Sequence, residues 1–294
     1  MFKTFSQIIY KILYFIDIIV LKIFRRSFLI WFKDFIDRDF YKTIKIPDKK
    51  IEIKFFTPNY LTNWLTNEFK TKEPETISWI ENFKEGDNRK IIFWDIGANL
   101  GLYSIYASKI YDNIEVVSFE PSTSNLRVLS RNISINDSHN KIKIFQLPLG
   151  EKPFSFSLMR ENKFGEGQSN NAFEVPLNFE GKKFISSNNY QVLGTSINSI
   201  LDNKFLQIPN YIKIDIDGLE HLILKGASKY LSHKDIKSIQ IEINENFKEQ
   251  HEMVKKILLE NNFKFQFKKR NESLEIYKNK KFLNTYNYYF EKSL

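Results

Sequence analysis

Several acidic residues of this chain stand at the ends of apolar runs, where carboxylates can bind a cation, accept hydrogen bonds or move a proton. Asp95 ends the run Ile91-Ile92-Phe93-Trp94 and leads into a glycine turn, Gly97-Ala98-Asn99-Leu100-Gly101. Glu120 ends a second run, Ile114–Phe119, 19 residues past Gly101. Asp215, Asp217 and Glu220 lie together in IKIDIDGLE with His221 beside them, and Glu242 and Asn244 close the run IEIN. Apolar runs of this length that end in polar residues and glycine read as buried strands entering turns. In open α/β sheets, ligands bind outside the carboxyl ends of such strands.

The glycine turn says which ligand. A dinucleotide needs G-x-G-x-x-G, because the middle glycine lets the backbone approach a pyrophosphate. Here a glycine is followed by three other residues and then a second glycine. Asp95 repels phosphate and attracts a cation, so a cofactor with an ammonium group and no phosphate fits better. S-adenosylmethionine is such a molecule. Glu120 then stands where an acid accepts both hydrogen bonds of a ribose diol. The plainer alternative is a tight strand–helix connection without a ligand.

The elements that position these residues follow from periodicity. Residues 51–57 read as a strand. Thr71 caps a helix beginning near Glu73-Pro74 and running to Phe83, which Gly86-Asp87-Asn88 ends. Residues 91–95 form the opening strand and 101–110 a helix. A strand follows at 114–120, then a helix from Pro121-Ser122 to Ile135, then a strand at 141–146. Residues 147–195 lack helical periodicity and carry several prolines and glycines, which predicts an irregular excursion with strands at 154–159 and 172–177. Then come a short helix 197–201, a strand 211–216, a helix 219–231, a strand 238–243 and a helix 247–261. The last strands are 263–267 and 286–290, with the polar 268–281 between them. Strands alternating with helices predict an α/β, doubly wound sheet.

The chain has 294 residues, 16% of them aromatic, and no cysteine. That is a folded chain without disulfides or thiolate metal sites, suited to a reducing cytoplasm. Residues 1–50 differ from the rest. They hold 11 Lys and Arg against 5 Asp, six of the net nine positive charges. Lys11, Asp17 and Lys22 interrupt the apolar stretch Ile8–Phe24, so a transmembrane span is disfavoured. The absence of alanine and glycine before Gly86 disfavours a secretory signal. Two readings stay open: a basic amphipathic helical extension lying on an anionic membrane surface, or a helix packing on the domain that follows or on a partner subunit.

WDIGANLGLYS, SFEPSTSNLRVLSRNISIN, LPLGE and IKIDIDGLEHLILKGA, in this order and spacing, resemble the successive motifs of FkbM-family S-adenosylmethionine-dependent methyltransferases. The resemblance covers residues 90–290, within a domain 51–294, and leaves 1–50 uncovered. It implies a class I methyltransferase (Rossmann-like) fold of seven strands with the last antiparallel, and O-methylation of a hydroxyl, typically on a sugar or a polyketide. Carried over, Asp95, Gly97, Ala98, Asn99 and Gly101 line the methionine and ribose end of the cofactor, and Tyr103 closes over it. Glu120 takes the ribose, Pro121 and Ser122 lie beside the adenine, and Leu149-Gly150 matches the family's Leu-Gly. Leu147-Pro148 stands where the family usually has alanine.

A hydroxyl acceptor needs a base near the methyl position. By the family pattern Asp215 is closest, and Glu220, His221 and Glu242 are the other candidates. The other candidates have plainer readings: Glu220 with Asp217 as a capping box, His221 as a surface or structural residue, Glu242 as a partner of Lys213 or of another lysine between strands. Asp215, Asp217 and Glu242 also suit an oxygen-rich magnesium site, but nothing in the spacing demands a metal. In the excursion, Phe154, Phe156, Phe164, Phe173, Phe179 and Tyr190 either stack on sugar rings or fill a hairpin core. Asn170 and Asn171 either bind hydroxyls or shape a turn.

The expected activity is methyl transfer to a sugar hydroxyl, in a surface polysaccharide, glycolipid or precursor. The expected location is the cytoplasm or the inner face of the cell membrane. A nucleic-acid methyltransferase is the rival suggested by the net charge. The acids of Asp215-Ile216-Asp217-Gly218 oppose it, since they repel phosphates and replace the motif that holds a flipped base. A membrane-tethered scaffold with a vestigial site is the third reading.

Overall fold

The computed structural model of the chain describes residues 2–85, 90–270 and 282–293. The expected helix end at 86–88 and most of the polar 268–281 lie outside the described residues. The chain divides into two compact units, 1–41 and 42–294.

The first unit contains two helices, α1 (Phe2–Phe24) and α2 (Phe28–Asp39), where the sequence suggests one. Arg25 adopts a left-handed conformation, φ 55°, just past the end of α1. Asp17, from within α1, then caps α2. Its carboxylate accepts from Ser27 Oγ (2.7 Å) and from the N–H groups of Phe28 (2.7 Å) and Leu29 (3.2 Å). The first backbone donors of a helix have no partner within it, and Asp17 supplies one.

Residues 41–50, which the sequence reading places in the helical extension, form β1 (Tyr41–Ile46) and a 3-10 turn, Pro47–Lys49. β1 pairs with β2 (Ile51–Phe56), followed by α3 (Tyr60–Asn67), α4 (Phe69–Lys72) and α5 (Pro74–Glu81). Thr71 therefore lies inside α4 and does not cap α5. The residue before α5 is Glu73, whose side chain makes no capping bond.

The Rossmann-like part runs β3 (Ile91–Ile96), α6 (Leu102–Ile110), β4 (Ile114–Phe119), α7 (Thr123–Ile135) and β5 (Ile142–Phe145). The excursion forms its own antiparallel sheet of β6 (Ser155–Glu161), β7 (Asn171–Phe173) and β8 (Asn188–Gly194), in the order β7-β6-β8. The third strand, β8, was not legible in the sequence: its apolar content is low and its alternation weak. The chain continues with α8 (Ile197–Asp202), β9 (Tyr211–Ile214), α9 (Glu220–Lys225), β10 (Ser238–Asn244), α10 (Lys248–Glu260), β11 (Phe263–Lys269) and β12 (Thr285–Lys292). α9 stops short of the expected 231. At Gly226 the backbone passes so close to Gly150 that a Cβ would lie 2.2 Å from its carbonyl oxygen.

The main sheet has seven strands in the order β11-β12-β10-β9-β3-β4-β5. β10, β9, β3, β4 and β5 are parallel neighbours, and the last strand, β12, is antiparallel to both β10 and β11. Apolar side chains cover both faces, so the parallel strands read as continuous apolar runs. Alternation decides which face each residue serves. Trp94 and Ile96 join the cluster that holds Ile212, Ile214, Ile239, Ile241 and Leu224. Ile91 and Phe93 join the opposite cluster, with Phe55, Phe69, Ile80, Ile105 and Tyr211. By the same parity Asp95, Lys213 and Glu242 fall on this second face, toward α5 and α6. Asp95 lies directly beside Lys213 across the β3–β9 pairing.

Candidate active site

The carboxyl ends of β3, β4, β9 and β10 open into a cavity of about 460 Å³, within the range of cofactor and small-molecule sites. One end is formed by Gly97, Ala98 and Asn99 after β3, Glu120 and Pro121 after β4, and Leu147, Pro148 and Leu149 after β5. The other end collects Lys72, Tyr103, Lys213, Asp215, Asp217 and Glu242. Leu61, Trp64 and Leu65 of α3 and residues 167–171 of the excursion complete the walls.

At the turn, Gly97 has φ 85°, and a Cβ there would stand 1.9 Å from the Asp215 carbonyl oxygen. Only glycine lets β3 and β9 end this close together. Glu120 is buried, with one carboxylate oxygen accepting from the Asn99 N–H (2.8 Å) and the other from the Ser122 N–H (2.9 Å). Burial pushes it up to about 7, against the pull of those hydrogen bonds. The Asn125 side chain bonds the same carboxylate, which leaves one lone pair of the four for a further donor. Asn99 Oδ1 is buried without a hydrogen-bond partner.

Asp95 does not line the cavity. Its parity turns it beneath the turn, where Oδ2 accepts from Ser104 Oγ at 2.6 Å, and Ser104 Oγ in turn accepts from Ser118 Oγ at 2.7 Å. Oδ1 is buried and unpartnered, and burial raises its pKa. Gly101, Ser122 and Gly150 also stand behind the wall, whereas Gly97, Ala98, Asn99, Tyr103, Glu120, Pro121 and Leu149 line it. The Tyr103 hydroxyl donates to Glu73 at 2.9 Å.

The proposed bases separate in the same way. Asp215 and Glu242 line the cavity, while Glu220 and His221 do not. Glu220 is fully buried and organises the loop ahead of it. It accepts from the N–H groups of Ile216 and Gly218, both at 3.1 Å, and from the Gln250 amide. His221 packs edge-on against Phe247 at 5.7 Å. The capping box does not form, because Asp217, at φ 65°, turns away and accepts from the Asn170 N–H of the excursion at 2.6 Å. Lys213 pairs with Asp215 at 2.8 Å, not with Glu242.

Two lysines and several acids set the charge of this end. Burial opposes the Lys213 charge, but Asp215, Asp95 and Glu73 outweigh it and hold the ammonium protonated. Lys213 also lies over the Tyr103 ring, 5.1 Å from its centroid. Lys72, 3.4 Å from Glu73, is kept charged against its burial chiefly by Glu73 and then by Asp215. Burial would raise Asp215, yet Lys213 and Lys72 hold it below the usual carboxylate range. Burial and the Asp215 charge push Asp217 up to about 7. Burial and the charges of Asp215, Asp217 and Glu220 push Glu242 well above its ordinary value. Environments that separate neighbouring carboxyls divide acid from base.

Lys72 and Glu73 were missed as site residues. Directly before Pro74 they read as the start of a helix, and only tertiary packing brings Lys72 to the cavity wall and Glu73 behind it, against Lys72 and Tyr103. Among the described residues, no group of three or more His, Asp or Glu side chains has metal-holding geometry. Of the excursion aromatics, only Phe173 lines the cavity. Phe154, Phe156 and Phe164 are exposed, Phe179 stacks on Phe282, and Tyr190 donates to Glu161. Asn170 and Asn171 both line it.

Residues 95–265, more than half of the chain, match the "Methyltransferase FkbM domain" family. The chain is 26% identical over 154 residues to methyltransferase sdnD of Sordaria araneosa, a match covering 46% of this chain and 60% of that protein's length. The methyltransferase FkbM from Methylobacillus flagellatus KT is similar over 78% of this chain and 52% of its own, at 17% identity and a TM-score of 0.47. The precorrin-6y C5,15-methyltransferase from Geobacter metallireducens GS-15 is similar over 76% of this chain and 90% of its own, at 13% identity and a TM-score of 0.43. The family match takes in the glycine turn, Glu120 and the acids after β9 and β10, and on that ground the chain belongs to the FkbM methyltransferase family.

Proposed function

We propose that this chain is an S-adenosylmethionine-dependent O-methyltransferase acting on a sugar hydroxyl, in a surface polysaccharide, glycolipid or one of their precursors. The observation that carries this reading is one cavity with two chemically different ends. The Gly97–Asn99 turn and Glu120 stand at one end, and carboxyls with divided proton affinities stand at the other.

The residues present suit the cofactor. Asn99 Oδ1 is a buried acceptor without a donor, Glu120 keeps one lone pair beyond the bonds from Asn99, Ser122 and Asn125, and Pro121, Leu147, Pro148 and Leu149 offer apolar walls to a flat base. When bound, S-adenosylmethionine supplies a methyl group on a sulfonium, open to attack by an oxygen nucleophile. Asp217, which lines the cavity, would take the proton of an acceptor hydroxyl, since burial and the Asp215 charge bring its proton affinity near neutrality. Glu242, protonated, donates a hydrogen bond that orients the acceptor. Asp215, kept ionised by Lys213, raises the basicity of Asp217. Asn170 and Asn171 give the excursion wall hydrogen-bonding groups suited to sugar hydroxyls.

Calorimetric titration with S-adenosylmethionine, followed by mass spectrometry of sugar acceptors for a gained methyl group, tests the reading. Glu120→Ala should weaken cofactor binding by about tenfold or more, the loss of one charge-assisted hydrogen bond. A folded chain that binds no cofactor overturns the proposal. Methyl transfer to nitrogen or carbon instead of oxygen overturns its acceptor.

A further inference from the structure

The hairpin of α1 and α2 exposes a continuous apolar stripe that no catalytic role explains. Along α1, Phe5, Ile8, Ile12, Phe15, Ile19 and Ile23 are 60, 54, 56, 65, 43 and 67% exposed. On an ideal helical wheel they fall within about 80° of one another. Lys3, Lys11 and Lys22 stand outside this stripe and are exposed, as are Arg25 and Arg26 past the end of the helix.

The only acid in α1 is Asp17. It is buried, and its carboxylate is engaged by Ser27, Phe28 and Leu29. The outward surface of α1 thus combines large apolar side chains with charge of one sign. We propose that the hairpin docks the protein on an anionic lipid surface, with the α1 stripe buried among the acyl chains and the lysines reaching the headgroups. This inference stands independently of the methyl-transfer reading.

Three observations favour lipid over a second copy of the chain. First, the apolar residues do follow a coiled-coil seam through Phe2, Phe5, Ile9 and Ile12. The positions flanking that seam, however, are Ser6, Ile8, Leu13, Phe15, Val20 and Lys22, with no acid–base pairs to set partner and register. Second, the exposed apolar arc taken as a whole, from Phe15 through Phe5 and Ile9 to Phe2, spans about 140° of the wheel, wider than a two-helix seam needs, as expected of a helix lying in a membrane interface. Third, exposed lysines and arginines without an exposed acid on α1 complement a negative surface and repel an identical helix. No helix among the described residues is long and apolar enough to cross a membrane, so the contact is with one leaflet.

Flotation of the full chain tests this, with vesicles of phosphatidylcholine mixed with phosphatidylglycerol against phosphatidylcholine alone. The full chain should float with the mixed vesicles, and added salt should release much of it. Ile8→Ser, Ile12→Ser and Phe15→Ser together should abolish flotation while the circular dichroism and melting of the remaining domain stay unchanged. Lys3→Gln, Lys11→Gln and Lys22→Gln together should lower binding to the mixed vesicles by roughly a hundredfold, given the attraction of each lysine to an anionic surface. A folded chain that floats with neither vesicle overturns the proposal. So does a concentration-dependent dimer, seen by sedimentation, that the serine variant dissolves without any vesicle binding by the parent chain. Equal binding to both vesicles, unaffected by the glutamine variant, overturns the anionic requirement.

Discussion

Lys213 and Asp215 lie two residues apart at the end of one central strand and form an ion pair at 2.8 Å, with the lysine side chain almost wholly buried. Between them they set the charge of this end of the cavity. The pair holds Asp215 ionised, and the ionised Asp215 raises the proton affinity of Asp217 and Glu242.

Removing the lysine should therefore act on stability and chemistry together. Lys213→Met leaves buried acids without their cation, which costs about 3 kcal/mol when one partner of a buried pair is lost. Chemical denaturation at neutral pH should show a lower midpoint, and turnover should fall more steeply than cofactor affinity.

Asp217 should appear in the pH profile of turnover. A base must be deprotonated to act, so kcat at saturating cofactor should fall about tenfold per pH unit below a pKa near 7 and level off above it. Asp217→Asn should lower kcat by about a hundredfold or more and remove that limb. Persistence of the limb in the variant would assign it to another group.

Glu220 should tie stability to pH in a defined direction. Burial pushes it up to about 7 from an ordinary 4.5. The folded state therefore binds more protons than the unfolded one between these values, and stability falls as pH rises through that window. Its share approaches ~3 kcal/mol, at 1.36 kcal/mol per pKa unit. Urea midpoints measured from pH 5 to 8 should decline in the parent chain and decline less steeply in Glu220→Gln.

Gly97→Ala should disable the site. The new Cβ would meet the Asp215 carbonyl oxygen at 1.9 Å, at a φ of 85° that alanine disfavours. Parting β3 from β9 should cost about 3 kcal/mol or more. Thermal melting should register that loss, and cofactor binding by calorimetry should drop beyond detection.

Much of the scaffold was legible in the sequence, because buried parallel strands announce themselves as apolar runs and the glycine turn follows one of them. Glu120, Asp215 and Glu242 follow strand ends in the sequence and line the cavity in the structure. Parity hid the rest. Asp95 stands at the end of its strand yet faces α6, since Trp94 and Ile96 take the other face. Glu220 looks like a cap and instead organises the 216–218 loop. Lys72 and Glu73 come from a segment far away in sequence, whose local chemistry reads as nothing more than a helix start. The antiparallel excursion was seen only in part, because short, polar, half-exposed strands carry little periodic signal.

The hydrogen bond from the Asn170 N–H to Asp217 has an evolutionary consequence. Residues 167–171, which line the cavity, also supply a donor to Asp217, the group proposed to take the proton. A lineage that reshapes residues 167–171 to take a different acceptor alters that donor, and with it the proton affinity of Asp217. Under the proposed mechanism, selectivity and working pH would be inherited together.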